Sequence, residues 1–245
     1  MFKDVFCLFL TAHLLGDFYL QTKTLAEKKN KQFCYVVYHA LIYALASMLC
    51  MLPFCSVILC SVFTGLSVCH FIVDTIKYCI IKTSRFIMKP TIYLVDQAIH
   101  LVLIAMGAFF FVSWGKTLTM VHVLDRFLIP LTDNPMAIFR WIGAVLFIHK
   151  PTNITIKGLL MGSRAQSDME QNQKQIGAYI GTLERIVILF FFSIDEFSAI
   201  GFVLTAKSIA RYTEINNHIE FAEYYLMGTL LSAFFMFMGY FIFIL

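Results

Sequence analysis

Thr11-Ala12-His13-Leu14-Leu15-Gly16-Asp17-Phe18-Tyr19-Leu20-Gln21-Thr22 closes an apolar run that begins near Val5. His13, Asp17 and Gln21 recur every four residues, so a helix sets all three on one face. Three polar groups on one stripe of a membrane-length apolar helix are costly unless they meet partners inside the protein. The spacing returns twice, in His70 with Asp74 and in Asp96 with His100. These pairs, together with His39, are expected to converge on one buried polar site that holds a metal ion.

Composition sets the class. Of the 245 residues 60% are hydrophobic and 14% charged, against about 45–50% and about 25% in soluble domains. Several apolar runs reach the roughly 17–25 residues that cross a bilayer. They do not alternate as the strands of about ten residues in a membrane barrel do. The predicted fold is therefore all-α, a polytopic transmembrane helical bundle of about eight spans. These are read at 4–22, 33–51, 54–76, 91–113, 136–150, 177–194, 197–211 and 224–244. The range is six to eight, because the short spans 136–150 and 197–211 are candidates for tilted, broken or re-entrant helices.

The chain reads as one integral membrane domain over 1–245. A polar cytoplasmic loop, 151–176, joins a five-span part to a three-span part. An amphipathic stretch from Leu118 to Ile129 is expected at the membrane interface. The N-terminus has no small-residue cleavage site before His13 and reads as a retained first span. The seven cysteines are odd in number and form no C-x-x-C pair, which favours small core hydrophobes over a disulfide frame or zinc knuckle. No basic, aromatic-laced soluble segment is present, so nucleic acid is not an expected partner. The expected partner is the lipid bilayer itself.

Charge asymmetry predicts the orientation. Lys23, Lys28, Lys29 and Lys31 follow the first span, and Lys77, Lys82, Arg85 and Lys89 follow the third. Lys150, Lys157, Arg164 and Lys174 follow the fifth, and Lys207 and Arg211 end the seventh. The positive-inside rule places these loops in the cytoplasm and both termini on the other side. Measured from the basic ends, the polar residues of five helices lie about 2 to 14 Å deep at 1.5 Å per residue. A single site opening to the cytoplasm is the reading that fits one shared level.

The candidate metal ligands are His13, Asp17, His39, His70, Asp74, Asp96 and His100. Imidazole and carboxylate together suit Zn, Mn, Fe or, with more oxygen, Mg. Facing helices that each offer a histidine and a carboxylate are how bundles build metal centres. Asp17, Asp74 and Asp96 are the candidate catalytic residues, since a carboxylate left unligated can act as general base. Taken singly, each pair has a plainer explanation as a hydrogen-bonded His–Asp contact that fixes helix packing.

A second group lies in the C-terminal half. Glu184 and Arg185 end the stretch Gly177-Ala-Tyr-Ile-Gly-Thr-Leu-Glu-Arg185, and Lys207 and Arg211 lie four apart. Arg and Lys suggest an anionic substrate group, most simply the phosphate of a lipid. Glu184 alternatively pairs with Arg185, Lys207 or Arg211. Lys207 and Arg211 alternatively snorkel to headgroups.

Five blocks carry a family resemblance: His13-Leu-Leu-Gly-Asp-Phe-Tyr-Leu-Gln21, Asp96-Gln-Ala-Ile-His100, Ile180-Gly-Thr-Leu-Glu-Arg185, Lys207-Ser-Ile-Ala-Arg211 and Glu223-Tyr-Tyr-Leu-Met-Gly-Thr229. The chain resembles a bacterial family of integral membrane proteins known only as a domain of unknown function. That resemblance implies a bacterial inner (cytoplasmic) membrane protein and no particular activity. The early His and Asp residues also resemble, more loosely, those of bacterial membrane-bound metal-dependent hydrolases.

The leading functional expectation is a metal-dependent hydrolase acting on a phosphorylated or acidic substrate, a lipid phosphate among them. The alternatives are a divalent-cation or proton-coupled transporter and a non-enzymatic membrane scaffold.

Overall fold

The structure, a computed structural model, describes residues 1–54, 56–83, 89–115, 117–122, 126, 128, 134–160 and 171–245. The regular elements among them are all helical. Five helices are long and apolar enough to cross a membrane: Phe33–Met51, Val57–Thr83, Pro90–Ser113, Ile176–Ser193 and Ile219–Phe243. A bent pair, Phe2–Leu20 with Lys23–Lys29, raises the number to six. The chain is a multi-span helical membrane protein.

About eight spans were expected, in a range of six to eight; the count of up to six meets the lower end of that range, and the two short spans make the difference. They form α6 (Pro135–Ile148) and α9 (Phe197–Ala210), of 14 residues each. Fourteen residues rise about 21 Å, short of a hydrocarbon core about 30 Å thick.

The chain divides into two compact units, Met1–Leu146 and Phe147–Leu245. In the first, α1 (Phe2–Leu14) continues into a π-helical segment (Leu15–Leu20), and the helix ends at Gln21 with extended backbone. The direction then changes by 95° into α2 (Lys23–Lys29). Thr22 caps α2, its Oγ1 accepting from the Leu25 amide at 3.2 Å, which satisfies one of the orphan donors of a helix start. There follow α3 (Phe33–Met51), α4 (Val57–Thr83) and α5 (Lys89–Ser113).

α1 is the hub of this unit. Every residue from Cys7 to Leu14 is buried, and Phe9 meets Phe63 of α4 edge-on at 4.7 Å. The other helices bury one stripe. On α3 that stripe is Val36, His39, Tyr43, Ala46 and Ser47, spaced for a helix face. Leu41, Met48, Ile72, Val102 and Phe109 point outward. In lipid this carries no penalty, because acyl chains are as apolar as leucine. The polar residues are therefore the ones driven inward.

The second unit holds α7 (Lys150–Leu159), α8 (Gln171–Ser193), α9, α10 (Tyr212–Asn217) and α11 (Ile219–Phe243). The segment expected as a polar loop, 151–176, carries α7 and the first residues of α8, and 161–170 lie outside the described residues. So do Arg85, Arg164 and much of the amphipathic stretch 118–129. Cys34, Cys50, Cys60, Cys69 and Cys79 are free thiols, and Cys34, Cys60 and Cys79 are exposed rather than the core hydrophobes expected.

Candidate metal centre

Five helical segments of the first unit bring their polar residues together. Asp17 projects from the π-helical segment, His39 from α3, His70 and Asp74 from α4, and Asp96 and His100 from α5. His13 adds a ring from α1. All seven are buried, none more than 8% exposed. The expected convergence on one site is what the fold shows.

Asp17 is the centre of the network. Its Oδ1 accepts from His70 Nε2 at 2.8 Å and from His39 Nε2 at 3.1 Å. A carboxylate only accepts, so both imidazoles donate through Nε2 and keep Nδ1 as a lone pair. His13 Nε2 faces Gln97 Oε1 at 3.3 Å, which likewise leaves Nδ1 as its lone pair. His100 is set the other way round. Its Nδ1 donates to the Asp96 carbonyl at 2.7 Å, the orientation that frees Nε2 for a ligand.

The four rings lie close together. Centroids are 4.3 Å apart for His70 and His100, 5.1 Å for His13 and His100, 5.4 Å for His39 and His70, and 5.7 Å for His13 and His70. The Nδ1 atoms of His13, His39 and His70, His100 Nε2 and Asp96 Oδ1 are buried without a hydrogen-bond partner among the described residues. Buried polar atoms are nearly always paired, and an exception points to a ligand, water or ion. Two overlapping groups offer ligand atoms within 4.8 Å of one another: His13, Asp17 and His70, and His39, His70 and Asp74.

Side chain to side chain, the pairs four residues apart are not one another's main partners, although the His100 ring holds the Asp96 backbone carbonyl. His13–Asp17, His70–Asp74 and His100–Asp96 are separated by 3.9, 3.8 and 3.9 Å between side chains. The short contacts run between helices. Lys29 Nζ holds Asp74 at 2.9 and 3.1 Å, and Lys77 Nζ holds Asp96 at 2.7 Å. Asp96 and His100 stand outside the two groups of converging ligand atoms.

Four neighbours were missed as site residues in the sequence. Lys29 and Lys77 read as positive-inside charges, yet Lys29 is 6% exposed. Gln97 sits beside Asp96 and spans His13, Asp17 and Asp96. Tyr43 stacks on His70 with centroids 3.7 Å apart, and its place one turn after His39 was the signal for it. Gln21, by contrast, leaves the helix face and is not one of the cluster's contacts.

The basic group lies in the second unit, where Arg185 is a packing centre. It donates to the Ile148 carbonyl at 2.6 Å, Asn153 Oδ1 at 2.6 Å, Ser232 Oγ at 2.8 Å and Thr182 Oγ1 at 3.3 Å. Lys207 donates to Glu184 at 2.7 Å and lies over the Tyr225 ring. Arg211 closes α9 as its C-cap.

No curated protein and no solved structure matches the chain. A family model described as Protein of unknown function (DUF3307) matches residues 5–128. That range carries the His13–Gln21 and Asp96–His100 blocks and every residue of the buried cluster. The Ile180–Arg185, Lys207–Arg211 and Glu223–Thr229 blocks lie outside it. With half of its length in that match, the cluster included, this chain belongs to the DUF3307 family.

Proposed function

We propose that the buried cluster is a divalent-metal centre and that the protein is a metal-dependent hydrolase of the bacterial inner membrane. Its substrate would be a phosphorylated or otherwise acidic molecule reached from the cytoplasmic side, a lipid phosphate being the simplest. The observation that carries this is the convergence of buried imidazoles and carboxylates from separate helices, the ligand atoms of His13, Asp17 and His70 and those of His39, His70 and Asp74 each lying within 4.8 Å of one another.

In this reading His13, Asp17, His39, His70 and Asp74 hold the ion, Zn, Mn, Fe or Mg. The ion supplies a bound water acidic enough to ionise near neutral pH. Asp17 and Asp74 orient the rings around it. Asp96, with Oδ1 unpartnered, accepts a proton as general base, and His100 supports it from one turn away. Within the second unit, Lys207 and Arg211 are proposed to bind an anionic group by themselves, Lys207 being paired with Glu184 and Arg185 tying the helices of that unit.

One observation favours a second reading, transport of a divalent cation. The first span breaks by 95° just beyond Asp17, and transporters place ion sites at discontinuous helices.

The test is metal analysis of full-length protein purified in detergent, with Asp17→Asn and Asp74→Asn beside it. Wild type should carry metal near one ion per chain and the variants little, with unchanged folding by circular dichroism. Metal-free wild type that also binds none of the four ions when they are added would end the proposal. Phosphate release from a lipid phosphate, against metal uptake into proteoliposomes, separates hydrolase from transporter.

A further inference from the structure

Three carboxylates, Asp17, Asp74 and Asp96, share the cluster with two ammoniums, Lys29 and Lys77. With the imidazoles neutral, one negative charge is left. A divalent ion added to that set overshoots neutrality, and it needs the same Asp74 oxygens that Lys29 holds at 2.9 and 3.1 Å. Two cations on one buried carboxylate repel strongly in a medium of low dielectric. Either the ion stays away from Asp74 or Lys29 leaves.

The two lysines differ in their freedom to leave. Lys77 sits within the 27-residue α4, on the same helix as His70 and Asp74. Lys29 is the last residue of α2, a seven-residue helix whose buried residues are Leu25 and Lys29 and whose exposed Lys28 lies over the Tyr35 ring of α3 at 5.1 Å. The extended Gln21 and Thr22 on its N-terminal side and the 95° bend separate α2 from the core helix. α2 carries none of the seven candidate ligands, so it can withdraw while the helices that hold them stay in place.

Resting on the metal-centre reading above, we propose that Lys29 is a resident counter-cation of Asp74. A divalent ion displaces it, and α2 moves outward as the ion enters. The cluster then goes from one negative charge without metal to neutrality with it, where keeping Lys29 would leave a net positive charge, and metal loading is reported at the surface by the position of α2.

The test uses full-length protein in detergent with Mn²⁺ as the probe. Lys29→Met should bind Mn²⁺ at least tenfold more tightly than wild type by titration calorimetry, and Lys31→Met, exposed and beyond α2, should match wild type. In wild type, an amine-reactive reagent read by mass spectrometry should label Lys29 severalfold more with Mn²⁺ than without, with Lys31 as internal reference. This second measurement needs no variant to fold. Mn²⁺ binding that leaves Lys29 labelling unchanged, or equal affinity of wild type and Lys29→Met, overturns the displacement while leaving the metal centre standing. Absence of Mn²⁺, Zn²⁺, Fe²⁺ and Mg²⁺ binding in wild type and Lys29→Met alike overturns both.

Discussion

Gly16, in the quoted stretch, has no room for a side chain. A Cβ there would lie 2.6 Å from Tyr43 Cδ2, and Tyr43 is itself stacked on His70 and edge-on to His13. The glycine thus lets α3 approach closely enough for Tyr43 to brace two candidate ligands. Overpacking of this kind costs about 1–3 kcal/mol. Gly16→Ala should lower the melting temperature by several degrees and weaken metal binding. Gly65→Ala, where a Cβ meets nothing within 4 Å, should be neutral or slightly stabilising. Equal melting temperatures for the two variants in a thermal scan would show that Tyr43 is free to shift.

Among the elements, the π-helical segment and α8 show what spacing conveys and what it hides. His13 and Asp17 share a buried side, as the four-residue spacing requires. The widened turn at Leu15–Leu20 then ends the helix, and Gln21 drops out of the stripe. Nothing in the local residues announces that turn, because i→i+5 bonding is imposed by packing against α3 and is frequent at functional sites. α8 shows the reverse case, where a charge expected at a ligand is a structural tie. Arg185 reaches α7, α11 and the end of α6 through its planar fork, which a lysine cannot reproduce. Hydrogen bonds to a charged group are worth about 1.5–3 kcal/mol each. Arg185→Lys should therefore destabilise the second unit by at least about 2 kcal/mol, seen as faster proteolysis within Phe147–Leu245, with metal content of the cluster unchanged. Loss of metal with intact proteolytic resistance would return Arg185 to a functional role.

At the scale of the whole molecule the open question is orientation in the bilayer. The basic segments predict that the start of α3, next to Lys28 and Lys31, faces the cytoplasm. Cys34 is exposed at that point. A protein retaining Cys34 as its single cysteine should react with an impermeant maleimide in inside-out vesicles and be protected in right-side-out ones. The opposite pattern would invert the topology and place the site on the other face.

By itself the sequence determined the membrane class, the principal long helices and the seven residues His13, Asp17, His39, His70, Asp74, Asp96 and His100 of one polar site. Those are local properties: hydropathy over a span and a 3.6-residue period that any single helix displays. Only the tertiary structure decided who pairs with whom. Asp17 serves His39 and His70 rather than His13, the carboxylates of α4 and α5 are held by Lys29 and Lys77, and Arg185 ties helices together. Within the site such partners lie up to 84 residues apart, in His13–Gln97. They meet through helix crossings and one π-helical turn, neither of which leaves a periodic trace along the chain.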